Sequence, residues 1–281
     1  MVNNKSTGTS LGILIPTRNR AVYLEELINT LMPQTEGLSV NVYVGDNCST
    51  DRTEEVVRSA QATHSNLRYQ KNVINIGGDA NFLTLVHACT DDYFWLFGDD
   101  EVLQPFAIPK LVKILQTKPD YIVFDGIDSE YTDVKGYISS RFKIRSEFLA
   151  SCSLITTNVV KRNIFDINYA STKYATHYGH MYALFAGLKT PPVKIISCRN
   201  VFFSVRKERA EPVDGDWPLA LELEWHKYLR FLAELAEVKY PWFRLGLIQY
   251  RRRIRHLFGN AVTKIIGKGM KKSLKNLMVN L

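Results

Sequence analysis

Unbroken apolar runs and helical stripes of apolar residues alternate along the first half of the chain. Leu11-Gly-Ile-Leu-Ile-Pro16 is apolar throughout and closed by proline, the pattern of a strand covered on both faces. In residues 21–32 the apolar positions Leu24, Leu27, Ile28 and Leu31 recur at helical spacing. The same reading predicts a strand at 40–44, a helix at 53–62, a strand at 67–70, a helix at 80–89 and a strand at 92–97. Strand and helix in strict alternation predict an α/β architecture, a mostly parallel sheet with helices on both faces. Ligands of such sheets sit at the carboxyl ends of the strands. Further on, the pattern predicts a helix at 105–117, a strand at 121–124, hairpins within 125–150, a helix or strand within 149–160, helices at 181–188 and 219–238, and a mobile loop over 199–216 around Pro212 and Gly215.

Composition changes this picture little, and charge changes it more. With 281 residues, 46% hydrophobic and 23% charged, the chain is ordinary for a soluble globular protein and long enough to need no covalent staples. Cys48, Cys89, Cys152 and Cys198 are far apart and form no CxxC pair, so reduced thiols in a cytosolic protein are expected. Residues 1–10 are polar, the run at 11–15 is too short for a signal sequence, and no stretch is long enough to span a membrane. A cytoplasmic protein is expected. The net charge is +8, yet residues 241–281 alone hold ten Lys and Arg and no acidic residue. The body is therefore slightly acidic, and a basic tail on such a body points to an anionic surface rather than to nucleic acid.

Polar turns follow each of the first four strands. Asp99 and Asp100 close the strongly apolar Tyr93-Phe-Trp-Leu-Phe97 and precede Glu101. Three carboxylates at the mouth of a buried strand repel one another, and a hard divalent cation relieves that repulsion. Such a cation clamps a diphosphate and neutralises a leaving nucleotide. A solvated turn capping the next helix is the competing reading. Asp46-Asn47-Cys48-Ser49-Thr50-Asp51 offers Asp46 to a base or ribose, while Asp51 or Thr53 can cap the following helix. Asn75-Ile-Gly77-Gly78-Asp79-Ala-Asn81 is a glycine turn before a helix, where backbone approaches a ligand and anions are favoured. Pro16-Thr17-Arg18-Asn19-Arg20 places two cations where a phosphate can sit.

As a set, Ile13-Leu-Ile-Pro-Thr-Arg-Asn-Arg20, Val44-Gly-Asp-Asn-Cys-Ser-Thr-Asp51, Asn75-Ile-Gly-Gly-Asp-Ala-Asn81 and Phe97-Gly-Asp-Asp100 resemble the family 2 glycosyltransferases of the GT-A fold. The resemblance covers roughly residues 11–118. Within the family the chain is similar to bacterial O-antigen enzymes of the abequosyltransferase kind. The resemblance implies a nucleotide-diphosphate sugar donor, a glycan or lipid-linked acceptor, and Mg²⁺ or Mn²⁺. It implies that Pro16, Thr17, Arg18 and Arg20 lie beside base and phosphates, Asp46 and Asn47 at base or ribose, Asn75, Gly77 and Asn81 near the donor, and Asp99 and Asp100 at the metal. The chain would then comprise a catalytic domain over 1–240, with a donor half at 11–118 and an acceptor half at 119–240, followed by the tail.

Two departures from the family pattern matter. If Asp99 is the later aspartate of the family's pair, Phe97 stands where the first is usual, and the metal is expected to rest on fewer protein carboxylates unless Asp99 and Glu101 form the pair instead. In the acceptor half the usual carboxylate is replaced by His177-Tyr178-Gly179-His180. His180 or His177 can act as base, since imidazole titrates near working pH; alternatives are a metal or diphosphate contact, a structural role, or a retaining reaction with no base from the protein. Arg206, with Arg199, Lys207 and Arg209, falls in the expected loop and can close over a diphosphate or simply be solvated. In the tail, Leu257, Phe258, Ala261, Val262, Ile265, Ile266, Met270 and Leu274 form one stripe, with lysines and arginines largely off it. Residues 251–281 thus read as a peripheral anchor on an anionic membrane. The alternative is a stripe docked on the catalytic domain or on a second subunit of a homo-oligomer. A nucleotidyltransferase is disfavoured because Pro16-Thr17-Arg18 lacks the glycines it requires, and a non-enzymatic membrane binder leaves four strand-end turns unexplained.

Overall fold

The computed structural model describes residues 9–144, 155–172, 178–190, 192–205 and 219–237. The chain divides into two units, Met1–Val238 and Lys239–Leu281, and every described residue belongs to the first. The expected amphipathic tail therefore lies outside the described residues.

The predicted alternation is present: β1 (Leu11–Thr17), α1 (Ala21–Thr35), β2 (Val40–Asp46), α2 (Thr53–Gln61), β3 (Leu67–Lys71), α3 (Gly78–Ala88) and β4 (Tyr93–Leu96). There follow β5 (Glu101–Leu103), α4 (Ala107–Leu115), β6 (Tyr121–Val123), β7 (Ser129–Tyr131), α5 (Val134–Ile144), β8 (Asn158–Lys161), α6 (Ile167–Thr172), α7 (Gly179–Gly187), β9 (Ile195–Ser197), β10 (Phe203–Val205) and α8 (Leu219–Leu235). Eight strands form one sheet in the order β3-β2-β1-β4-β8-β6-β9-β7. The first four are mutually parallel, β8 runs antiparallel between β4 and β6, β9 is parallel to β6, and β7 is antiparallel to β9.

Side-chain alternation explains the two layers. Ile13, Ile15, Val42, Val44, Trp95 and Phe97 join Leu24, Leu27, Ile28 and Leu31 of α1, Val57 of α2, and Ile108 and Leu111 of α4 in one buried cluster. Phe94, Leu96 and Val160 face the other way and line a small cavity with Met181 and Leu184 of α7. Both faces are apolar because both are covered, which is why β1 and β4 read as unbroken hydrophobic runs.

Two expectations need correction. Within 125–150 the sequence suggests hairpins, but α5 occupies Val134–Ile144. The helical stripe Val134, Tyr137, Ile138 is followed at its next position by Arg141, a charge that disguises a core position; its side chain is wholly buried. Within 199–216, Phe203–Val205 is not loop but β10, paired antiparallel with β5. The remainder of that segment, 206–216, lies outside the described residues. Cys48, Cys89 and Cys198 are free thiols, as expected, and burial pushes Cys89 and Cys198 up to about 12, so neither is poised as a nucleophile.

α7 approaches the preceding segment closely. A Cβ on Gly187 would meet the carbonyl oxygen of Ile164 at 1.5 Å, and backbone cannot yield as a side chain does. Gly187→Ala is expected to destabilise the protein by about 3 kcal/mol, read as a fall in the urea midpoint without a change in slope.

Candidate active site

Thr17 and Asp46 are register partners at the ends of β1 and β2, and Phe97-Gly98-Asp99 follows the end of β4, which pairs with β1. Parallel pairing thus delivers three polar turns to one edge of the sheet. They are joined by hydrogen bonds. The Thr17 hydroxyl donates to Asp99 Oδ2 at 2.7 Å. The Asn47 N–H donates to the Thr17 carbonyl at 2.9 Å, carrying the pairing one residue past β2.

The second and third turns are held by amides and one carboxylate. Asp46 is fully buried and accepts from the Ser49 N–H and from the Tyr69 hydroxyl, both at 2.7 Å. Burial first, and then that bond to Asp46, holds the Tyr69 phenol far above its usual range, so it stays protonated as the donor. Asn47 donates to Asn75 Oδ1 at 2.7 Å and accepts from the Ile76 N–H at 2.9 Å. Asn81 donates to the Gly45 carbonyl at 2.8 Å and accepts from Asn72 at 2.9 Å. Gly77 enters α3 with φ of +85°, which explains the glycine there. Asp51 bridges two helix starts: Oδ1 accepts the Thr53 N–H and Oδ2 the Ala21 N–H, both at 3.0 Å. Burial opposes its ionisation, but these bonds outweigh burial and hold its carboxyl below the usual range.

At the centre lies an acid pair with a cation between. Arg20 Nη1 is 3.0 Å from Asp99 Oδ1 and 3.0 Å from Asp100 Oδ2. Side-chain exposure is 46% for Arg20 and 7% and 20% for the two aspartates, so the carboxylates are set in the protein and the arginine reaches in from solvent. Burial pushes the Asp99 carboxyl above its usual range, with Asp100 adding to the push, and Arg20 and Thr17 offset only part of it. The charge on Arg20 is the more secure for having both acids beside it, although burial alone would oppose it.

A model of the family described as glycosyl transferase family 2 matches residues 12–185. The chain belongs to that family. The abequosyltransferase RfbV of Salmonella typhimurium is 29% identical over 205 residues, covering 64% of this family 2 chain and 62% of RfbV. The chain thus spans less than two thirds of that relative's length. Among solved structures, a mannosyltransferase from Pyrobaculum calidifontis in complex with GDP-Man and Mn²⁺ superposes with a TM-score of 0.55 at 15% identity, covering 96% of this chain and 81% of that one. S. aureus TarS in complex with UDP-GlcNAc gives 0.55 at 15% identity, covering 81% and 66%. At such identity these likenesses establish the GT-A fold and nothing finer.

For a family 2 chain, the remaining expected residues are placed unevenly. Arg18, Arg20, Asn75 and Gly77 are exposed and Pro16 is half-buried, whereas Asp46, Asn47 and Asn81 are buried within the protein's own bonds. Glu101 does not share the Arg20 nitrogen with the aspartates. It begins β5, is nearly buried, and its N–H bonds the Gly98 carbonyl at 3.3 Å. Among the described residues no group of three His, Cys, Asp or Glu is gathered as a metal site. His180 is 5% exposed, packs edge-on against Phe82 of α3 at 5.9 Å between ring centroids, and lines the small apolar cavity with Leu96 and Asn158. His177 and Arg206 lie outside the described residues. The register does place Val205 opposite Glu101, so the strand leading into Arg206 runs beside the acid turn.

Some residues that organise the site escaped the sequence reading. Thr156 accepts the Gly98 N–H at 3.0 Å, and its carbonyl accepts from Trp95 Nε1 at 2.8 Å, fixing the turn that carries Asp99. Nothing local to Thr156 signals this. Asn19, at φ of +53°, accepts the Thr50 N–H at 2.8 Å and donates its own N–H to Ser49 at 2.9 Å, clamping the first two turns. An asparagine between two arginines in a turn was the available clue.

Proposed function

We propose that this protein transfers a sugar from a nucleotide-diphosphate donor to a glycan acceptor in the synthesis of a bacterial surface polysaccharide. Membership in family 2, the likeness to an abequosyltransferase, and the donors named for two proteins of the same fold support the reading. The observation that carries it is the convergence of Asp99 and Asp100 on a single cationic nitrogen at the carboxyl edge of the sheet.

The donor set suits a magnesium or manganese ion. It is all oxygen and anionic, it already holds one positive charge, and two carboxylates plus substrate phosphates are the usual ligation for such an ion. When bound, that ion would supply neutralisation of charge on the departing nucleoside diphosphate. The protein's own residues do the remainder. Thr17 fixes the rotamer of Asp99. Arg18 and Arg20 present positive charge to the phosphates. Asn47, Asn72 and Asn81 hold the Asn75–Gly77 turn against the donor, and Asp46 acts through the turn it organises. His180, with His177, takes the acceptor proton in this reading, standing where the family's usual carboxylate is absent. The basic stripe at 251–281 supports a lipid-linked acceptor presented at an anionic membrane.

Thermal unfolding with UDP, GDP, CDP and dTDP, each with and without Mn²⁺, tests the donor site. One nucleotide is expected to raise the melting temperature by about 5 °C at a hundredfold excess over Kd, only with Mn²⁺ present, and the rise should vanish in Asp100→Asn. A folded protein that ignores all four nucleotides would remove the donor reading.

A further inference from the structure

Arg20 engages the carboxylate oxygens through which a divalent cation at this turn would be held. One of its nitrogens stands 3.0 Å from an oxygen of each aspartate, and both oxygens of Asp99 are already engaged, one by Arg20 and one by Thr17. A dication and a guanidinium cannot share that point, because each would face the other's charge at contact distance. Arg20 is nearly half exposed, and its backbone carbonyl accepts the Leu24 N–H at 3.0 Å at the start of α1. Its main chain is therefore fixed while its side chain is free to leave along the solvent side.

We propose that Arg20 is a resident counter-cation: it holds the Asp99–Asp100 turn in the absence of donor, blocks entry of metal alone, and moves onto the diphosphate when nucleotide and metal arrive together. This rests on the donor-site reading above and adds an order of events. Without a diphosphate, a metal ion must evict Arg20 into water with nothing to receive it. With a diphosphate, the guanidinium exchanges two carboxylates for phosphate oxygens, which it binds at least as well. The device keeps a buried, mutually repelling acid pair satisfied between turnovers and ties metal loading to substrate. Asp99 lies nearly buried beside a second carboxylate, and the chain itself carries a compensating charge at Arg20.

The test is Mn²⁺ binding to the full chain without nucleotide, followed by electron paramagnetic resonance or calorimetry, for the wild type, Arg20→Ala, Arg20→Lys and the double variant Arg20→Ala with Asp99→Asn. Arg20→Ala is expected to bind Mn²⁺ alone roughly tenfold more tightly than wild type. Arg20→Lys should restore weak binding, and the double variant should lose the gain. Damage to the turn lowers metal affinity, so a gain has no merely structural explanation. Arg20→Ala binding Mn²⁺ no more tightly than wild type would overturn the proposal. If in that case the wild type still shows Mn²⁺-dependent stabilisation by a nucleotide, only the counter-cation role fails. If no form responds to Mn²⁺ with or without nucleotide, the metal reading fails with it.

Discussion

Replacing Asp99 with asparagine is expected to cut sugar transfer on the order of 10³-fold while leaving the free protein as stable as wild type or more stable. The two halves of this expectation have one cause. Asp99 is nearly buried and lies beside Asp100, so its carboxyl is held above the usual range by burial first, with its neighbour's charge adding to the push. A group whose pKa is raised by folding stabilises the fold fully only below its unfolded pKa, about 3.9 for aspartate, and loses that contribution as pH rises through the folded value. At neutral pH the ionised Asp99 is therefore a cost to folding. Asparagine keeps the shape and an oxygen to accept the 2.7 Å bond from Thr17, and Arg20 retains Asp100. Melting temperatures of both proteins from pH 4 to pH 8 should converge at the acid end, with the variant gaining on wild type as pH rises. A variant that melts well below wild type at pH 7 would make the Asp99–Arg20 pair an element of the fold and not of the site.

What the sequence disclosed follows from how local each signal is. The strands from β1 to β4 were legible because a doubly covered strand needs apolar residues at every position, and the turns were legible because they fall where each run stops. The chemistry of the turns was legible by type but not by partner. Asp46 reads as a ligand-facing carboxylate, yet it is fully buried and spends both oxygens on Ser49 and Tyr69. Arg20 reads as a phosphate contact, and its bridge to residues 79 and 80 positions later carries no local trace. Past β4 the helices α4, α7 and α8 and the strand β6 were still legible, but the pattern between β6 and β8 was not, for a physical reason. β8 enters the sheet antiparallel from the far side, so Thr156 reaches Gly98 across 58 residues, and α5 carries an arginine on its core stripe. The histidine at 180, read together with His177 as a base, shows the ambiguity most plainly, since its ring packs against Phe82.

That arginine supports the second large effect. Arg141 has no exposed side-chain surface, and neither does Asp125, to which its Nε donates at 2.6 Å. Its other nitrogens donate to Ser197 at 2.6 Å and to the Tyr131 hydroxyl at 2.9 Å, and its guanidinium lies 4.9 Å from the Tyr137 ring centre. One side chain of α5 thereby ties together the ends of β6 and β9 and the edge strand β7, the part of the sheet without long strands to stabilise it. Burial works against its charge, but the bond and charge of Asp125 outweigh burial and hold the arginine above its usual range. Arg141→Ala leaves the Asp125 carboxylate buried without its cation, a change that costs about 3–5 kcal/mol and lowers the melting temperature by about 10 °C. Replacing both partners with apolar residues of similar volume, Arg141→Met with Asp125→Leu, should recover much of the loss, because it removes the charge to be compensated along with its compensation. Equal losses in the single and double variants would instead assign the effect to packing around α5. In either case Arg20, Asp99 and Asp100 are untouched, so the Mn²⁺-dependent nucleotide shift should survive in Arg141→Ala below its lowered melting point, separating the part of the fold that carries the acid pair from the part this buried pair holds.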